Sequence, residues 1–328
     1  MIRTAHCRTI VSAVVIASCC AAAPTPAVAQ EHYPERLIKI IVPFQAGGAL
    51  DTLARIVADR LSARWGKPVV VENRPGASGN IGAEAVANAN PDGYTLLIAP
   101  PPPLAVNQHL FDNLRFDASA FVAVTVVASA PNVLVARPAL PAGSLSELIA
   151  LAKAQPGKLN YGSTGKGGTP HLSAEMLKSL AGIDIVHVAY KNPPQILNDM
   201  LGGSIDLTFA NLIDVLPLIE SGKMKALAVG GAHPSPLLPD VPVLATTLPG
   251  FISTTWYAVA APPKTPAEVA EKLSSGIAAA LKEPETMARL QALKATLVLS
   301  SPSEAAAFIA EESARWRRII LSAGIKPE

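Results

Sequence analysis

The residues best suited to chemistry lie in two glycine-rich turns. Phe44-Gln45-Ala46-Gly47-Gly48 joins an apolar run to a helical pattern, with Asp51 as the nearest charge. Glycine lets a chain turn sharply and lets another molecule approach its backbone. The helix that follows aims unpaired N–H groups back at the turn, a setting that suits an anion. About 115 residues later, Tyr161–Leu172 reads YGSTGKGGTPHL and repeats the arrangement. Ser163, Thr164 and Thr169 alternate there with Gly162, Gly165, Gly167 and Gly168, and Lys166 is the one charge. If each turn sits in its own domain, the two can face one another across a cleft and hold a small anion between them.

Enzyme motifs fit the second turn poorly. A phosphate-binding P-loop needs glycine at 160 and Ser or Thr at 167, where this chain has Asn160 and Gly167. A dinucleotide fingerprint starting at Gly165 needs glycine where Pro170 stands. Ser163-Thr164-Gly165-Lys166 matches Ser-x-x-Lys, the nucleophile motif of penicillin-binding enzymes. No Lys-Thr-Gly follows, because Lys264-Thr265 runs into Pro266, and the serine precedes its helix. A secreted serine hydrolase using Ser163 and Lys166 is the rival reading. His32, His109, His171, His187 and His233 are scattered, with no pair at ligand spacing, so no metal or cofactor is expected. His171 reads as a hydrogen-bonding residue beside the loop. Asp51 is either an acid favoured by the helix dipole or a ligand contact, and Phe44 either core or ligand wall.

Strand-like and helix-like segments alternate around these turns, which predicts an α/β architecture with largely parallel sheets. Leu37–Phe44 reads as a buried strand, and Leu53, Ile56, Val57 and Leu61 share a helical face that ends at Gly66. Further strands are expected at Pro68–Val71, Tyr94–Ala99, Leu159–Tyr161, Ile183–Tyr190, Ile205–Phe209, Lys225–Val229 and Trp256–Ala260. Pro100–Pro103 is expected to form neither helix nor interior strand. Ser144/Glu147, Thr265/Glu268 and Ser301/Glu304 have capping-box spacing, and Thr169-Pro170 has a cap-plus-proline form.

The chain has 328 residues, half of them hydrophobic, enough for two ordinary domains. Residues 1–29 read as a signal peptide: Arg3 and Arg8, an apolar run from Ile10 to Ala17, and a small-x-small site at Ala27-Val28-Ala29. Ile16-Ala17-Ser18-Cys19 also fits the pattern before a lipid-modified cysteine, so a tether at Cys19 competes with release at Ala29. Cys7, Cys19 and Cys20 are the only cysteines, and cleavage at Ala29 removes them all, excluding a disulfide framework. It also leaves 25 basic and 25 acidic residues, with no basic footprint for nucleic acid. No later apolar run is long enough to span a bilayer.

The order of motifs resembles the Bug family, the extracytoplasmic solute receptors of tripartite tricarboxylate transport systems. The matching stretches are Tyr33–Asp51, Val69–Leu97, Lys153–Gly165, His171–Lys191, Glu220–Val229 and Leu238–Leu244. The resemblance implies a two-domain periplasmic binding protein fold, type II-like, with a ligand cleft between the domains. On this sequence that means residues 30–130 plus 254–328 as one domain and 131–253 as the other. It further implies that Phe44, Ala46, Gly47, Gly48 and Asp51 on the first loop, with Ser163, Thr164, Gly165 and His171 on the second, hold a ligand carboxylate. Such a receptor is periplasmic and monomeric, carries out no bond chemistry, and hands its ligand to membrane transporter subunits or a sensor protein. Three stretches depart from the family: Asn192-Pro193-Pro194 after the Tyr-Lys pair, Pro100–Pro103, and Gly167-Gly168-Thr169-Pro170. All lie near the expected pocket and bear on the ligand more than on the fold.

Overall fold

A computed structural model describes residues 33–292 and 296–325. The expected leader, its cleavage site, Cys19 and His32 lie outside the described residues. β1 (Ile38–Val42) enters α1 (Ala49–Trp65), whose buried Leu53, Ile56, Val57 and Leu61 recur at helical spacing. The helix stops at Gly66, which adopts the left-handed conformation that glycine takes without a steric cost. In chain order there follow β2 (Val69–Asn73), α2 (Asn80–Ala87), β3 (Thr95–Ala99), β4 (Val122–Ala136), α3 (Leu145–Ala154), β5 (Asn160–Ser163), α4 (Thr169–Ala181), β6 (Val186–Ala189), α5 (Pro193–Leu201), β7 (Leu207–Asn211), α6 (Leu212–Glu220), β8 (Lys225–Val229), α7 (Leu244–Thr247), β9 (Thr254–Ala261), α8 (Ala267–Leu281), α9 (Pro284–Ala292), β10 (Thr296–Leu297) and α10 (Pro302–Ser322).

The strands run β2-β1-β3-β9-β4-β7-β5-β6, with β8 and β10 also pairing to β4. Both flanks are parallel, β1 against β2 and β3, and β5 against β6 and β7. The centre is antiparallel, so the sheet is mixed rather than largely parallel. The cause is β4, which belongs to both flanks. Val122–Pro131 pairs with β9, and from Asn132 onward the strand pairs with β7 and, one residue later, with β8. A polar knot marks the changeover: buried Asn132 donates to Ser253 Oγ at 2.9 Å and accepts from Thr255 Oγ1 at 3.2 Å. Separate apolar cores lie on the two sides. One gathers Leu97, Leu104, Trp256 and Trp316, and the other Leu134, Tyr161, Leu177, Phe209 and Phe251.

Helix starts follow the sequence in part. Ser301 and Glu304 form a complete capping box with Pro302 at the first position. Ser144 accepts from Glu147 N–H, but the Glu147 carboxylate takes Gly143 N–H instead of closing the box. Thr265 does not cap: α8 begins one residue later than the spacing suggests, and the Thr265 hydroxyl donates to Pro262 O at 2.8 Å. Nor does Thr169, which is already the first residue of α4 behind Gly168. The prolines at 101–103 open a helical turn, wide enough for Asn107 N–H to reach Pro102 O five residues back. Proline is tolerated there because first-turn N–H groups need no helical partner. Asn192 caps α5, accepting from Gln195 N–H at 3.1 Å, with Pro193 at the first position.

A candidate ligand site at the strand ends

Because β1, β2 and β3 run parallel, the turns that follow them emerge at one end of the sheet. The turn after β1 is held from inside. Asp51, almost fully buried, accepts from Gly47 N–H at 3.0 Å, from Asn73 Nδ2 at 2.9 Å and from two nitrogens of Arg55 at 3.0 Å. Burial alone would raise the Asp51 carboxyl, but the hydrogen bonds from Arg55, Gly47 and Asn73 outweigh it and hold the group below its ordinary range. Gly47 sits at φ +93°, a conformation other residues rarely adopt. Its N–H is therefore committed within the turn. Gly48 begins α1 with no side-chain cap, and Gln45–Gly48 are exposed. A β-carbon at Gly48 would meet nothing within 4 Å. The uncapped start of α1 thus faces open space.

The turn after β2 was not singled out from the sequence, yet it lies beside the first. Ala77 and Ser78 both have left-handed φ, +46° and +53°, a conformation costing roughly 1–3 kcal/mol per residue. Gly79 lies against the Phe44 ring and Pro103, each 3.3 Å from where a β-carbon would stand. Asn107, in the segment after β3, donates to Ser78 O at 3.0 Å and Asn80 Oδ1 at 2.6 Å. Phe44 is half-buried and forms a wall of this group.

The second glycine turn leaves β5 and meets the same group. Ser78 Oγ donates to Lys166 O at 3.4 Å, and a β-carbon at Gly167 would come within 2.7 Å of Leu110 Cδ1. Thr164 is exposed and Gly165 half-buried, while Ser163 is fully buried. The Ser163 hydroxyl lies 2.7 Å from His187 Nε2 and 3.3 Å from Gly165 O. His171, also buried, accepts from Gly167 N–H through Nδ1 at 3.4 Å. The structure thus gathers all nine residues named from the sequence onto the two turns and the first turns of α1 and α4. It adds Ser78, Gly79, Asn107 and His187. Gly76 and Gly79, after β2 and before α2, carry the same glycine grammar and were the available signal for the first two; nothing local in the sequence marks Asn107 or His187.

Beside the first turn lies an apolar cavity lined by Ala49, Leu53, Ala130, Ile213, Asn211 and Tyr257. It brings the start of α1 together with the β7–α6 junction. Among the described residues no group of His, Cys, Asp and Glu is placed to hold a metal ion, and no helix is long and apolar enough to cross a membrane.

A sheet that changes partners halfway along one strand, with glycine turns from both flanks meeting at the strand ends, defines the class of two-lobed binding proteins. The sequence profile of the tripartite tricarboxylate transporter family receptor matches residues 53–325. BugT of Bordetella pertussis is 36% identical over 316 residues, 95% of this chain and 96% of that protein. Among solved structures, R. palustris Rpa4515 with adipate superposes with a TM-score of 0.83 at 36% identity, covering 90% of this chain and 100% of that one. The periplasmic binding protein BugD gives a TM-score of 0.80 at 31% identity, with 90% and 100% coverage. The chain belongs to the tripartite tricarboxylate transporter receptor family, a family of solute receptors rather than enzymes.

Proposed function

We propose that this chain is a periplasmic receptor that captures a small organic carboxylate between two lobes, residues 30–130 with 254–328 and residues 131–253. The observation that carries the reading is the uncapped N-terminus of α1 at Gly48, open to solvent, beside the β2 turn that the second glycine turn meets from the other flank. Helix-end amides and small hydroxyls can hold an anion without an arginine clamp. In this account Ala46, Gly48, Thr164 and Gly165 present donors or close backbone approach, and Phe44 forms a wall. Gly47 with Asp51, and Ser163 with His171, fix the two loops in shape. The change of partners along β4 at Pro131–Asn132 supports lobe boundaries there. The adipate bound by Rpa4515 supports a carboxylate as the ligand class. Capture ends in lobe closure and delivery to membrane transporter subunits or a sensor, with the protein acting as a monomer and no bond broken.

A thermal-shift screen of the protein without residues 1–29 tests this. Small mono- and dicarboxylates are compared with their neutral amides, since a ligand raises the melting point according to how far its concentration exceeds Kd. A shift with an acid that its amide does not reproduce is expected. Shifts with neutral compounds alone would overturn the reading.

A further inference from the structure

Beneath the second turn, three aromatic rings fill the space between β5, β6 and α4. His187 stacks on Tyr161 at 4.9 Å between centroids and meets His171 edge-on at 4.6 Å. Each imidazole holds one end of the turn. Gly167 N–H can only donate, so His171 Nδ1 must carry a lone pair and the neutral ring its proton on Nε2. His187 Nε2 lies 2.7 Å from the buried Ser163 hydroxyl, which has Gly165 O as its other neighbour. Protonating His171 would set N–H against N–H at Gly167. Gly165 O can only accept, so the Ser163 hydroxyl donates to it and His187 Nε2 donates to Ser163; protonating His187 leaves that bond in place and sets a second charge beside the first.

The charged groups around the pair are few. Glu175 on α4 accepts from Tyr161 Oη at 2.7 Å and from Lys178 at 3.0 Å, and Lys166 sits on the turn itself. β7 presents Thr208, whose hydroxyl donates to Gly162 O, while α10 brings Arg315 and Arg318 to the other half of α4, near Met176 and Leu180. Burial, then the neighbouring His187, Lys178 and Lys166, push His171 down to about 4 against the opposing pull of Glu175. Burial, with Lys178 and Lys166, lowers His187 as well. Both rings are neutral at pH 7 in the folded state. A histidine depressed in this way leaves the fold at full strength above its released pKa of about 6.5, and the loss accumulates as pH falls toward the lowered value.

We propose that His171 and His187 are positioning residues that clasp the second turn in its ligand-ready shape, and that protonation opens the clasp and weakens ligand retention in acid. The ligand part rests on the carboxylate-capture reading, whereas the clasp is a property of the empty turn. The test therefore begins without ligand: imidazole NMR and amide exchange across residues 163–168 between pH 7 and pH 5. A ring that titrates near 6.5 when released and near 4 when clasped makes release about twentyfold easier over that interval. Amide protection, corrected for intrinsic exchange, should fall by about that factor in the wild type. His171→Asn keeps an acceptor near Nδ1 but does not titrate, so its protection should vary with pH much less than the wild type's, by only what His187 contributes. His171→Ala should be poorly protected throughout. His109 is likewise lowered by its own burial and by Arg317, so His109→Gln is the control and should keep the wild-type slope. A His171 ring titrating near 6.5, a flat wild-type profile, or an undiminished slope in His171→Asn would overturn the clasp. Calorimetry with adipate at both pH values forms the second arm, where the wild type and His109→Gln should lose affinity by the same factor and His171→Asn by much less. Absence of adipate binding at either pH would count against adipate capture while amide exchange still decides the clasp.

Discussion

Asp51→Ala removes the acceptor around which the first turn is built. Gly47 N–H loses its acceptor, while the Asn73 amide keeps Phe44 O and the Arg55 guanidinium keeps Asn73 Oδ1. The three losses are unequal. The Arg55 side chain is 49% exposed, so water takes up much of its charge and that pair contributes under about 1 kcal/mol. The bonds from Gly47 and Asn73 end on a carboxylate only 5% exposed, and each such bond to a charged acceptor contributes about 1 kcal/mol or somewhat more. The expected loss is about 2–3 kcal/mol, or roughly 3–5 °C in Tm for a chain of this size. Because the Asp51 carboxyl is lowered from 3.8, its contribution is fully present above that value and is lost as pH falls through the lowered one. Urea melts of wild type and Asp51→Ala should therefore differ by a constant amount from pH 5 to pH 8 and converge only in stronger acid. Carboxylate affinity should fall with stability, because Gly48 is positioned by the turn that Asp51 holds. A difference below about 0.5 kcal/mol at neutral pH, or one that disappears near pH 5, would refute this role for Asp51.

Glu312 joins α10 to β9, taking Trp256 Nε1 at 2.8 Å and two bonds from Arg315 at 2.7 and 2.8 Å. Glu312→Ala should cost about 2–4 kcal/mol in equilibrium unfolding, chiefly from leaving a buried indole N–H unpaired and Arg315 with only Ile252 O as acceptor. Ser163→Ala removes a buried hydroxyl and leaves half-buried His187 without that partner, and should cost about 1–3 kcal/mol and weaken carboxylate binding several-fold. It should change no hydrolytic rate, because the wild type should show none above background with activated esters. An ester hydrolysis that Ser163→Ala abolishes would restore the hydrolase reading.

Local pattern made much of this architecture legible. Leu53, Ile56, Val57 and Leu61 announced α1, and Gly66 its end, because helix period and left-handed glycine are properties of a few neighbouring residues. The two glycine turns were visible for the same reason. What escaped was set by pairing over distance. β4 runs unbroken through Pro131, and only its partners β9, β7 and β8, drawn from far along the chain, make it a strand that serves both flanks. The prolines after β3 were misjudged because their effect depends on position: at a helix start they cost little, within it they break it. Ser78 and Asn107 entered the site through a strained turn and a tertiary hydrogen bond, neither of which leaves a spacing to read. His187 lies on β6, 24 residues beyond Ser163 in the chain, and it reaches Ser163 only because β5 and β6 pair in register.

Titration of small carboxylates into wild type and Gly48→Val by calorimetry tests carboxylate capture most directly. Gly48 has negative φ and no heavy atom within 4 Å of a built β-carbon, so the substitution should leave the melting temperature nearly unchanged. Its side chain would instead fill the space in front of the α1 amides. At least one small carboxylate should bind the wild type and lose most of its affinity in Gly48→Val while both proteins unfold alike. Binding that survives Gly48→Val intact would place the ligand elsewhere and contradict the account.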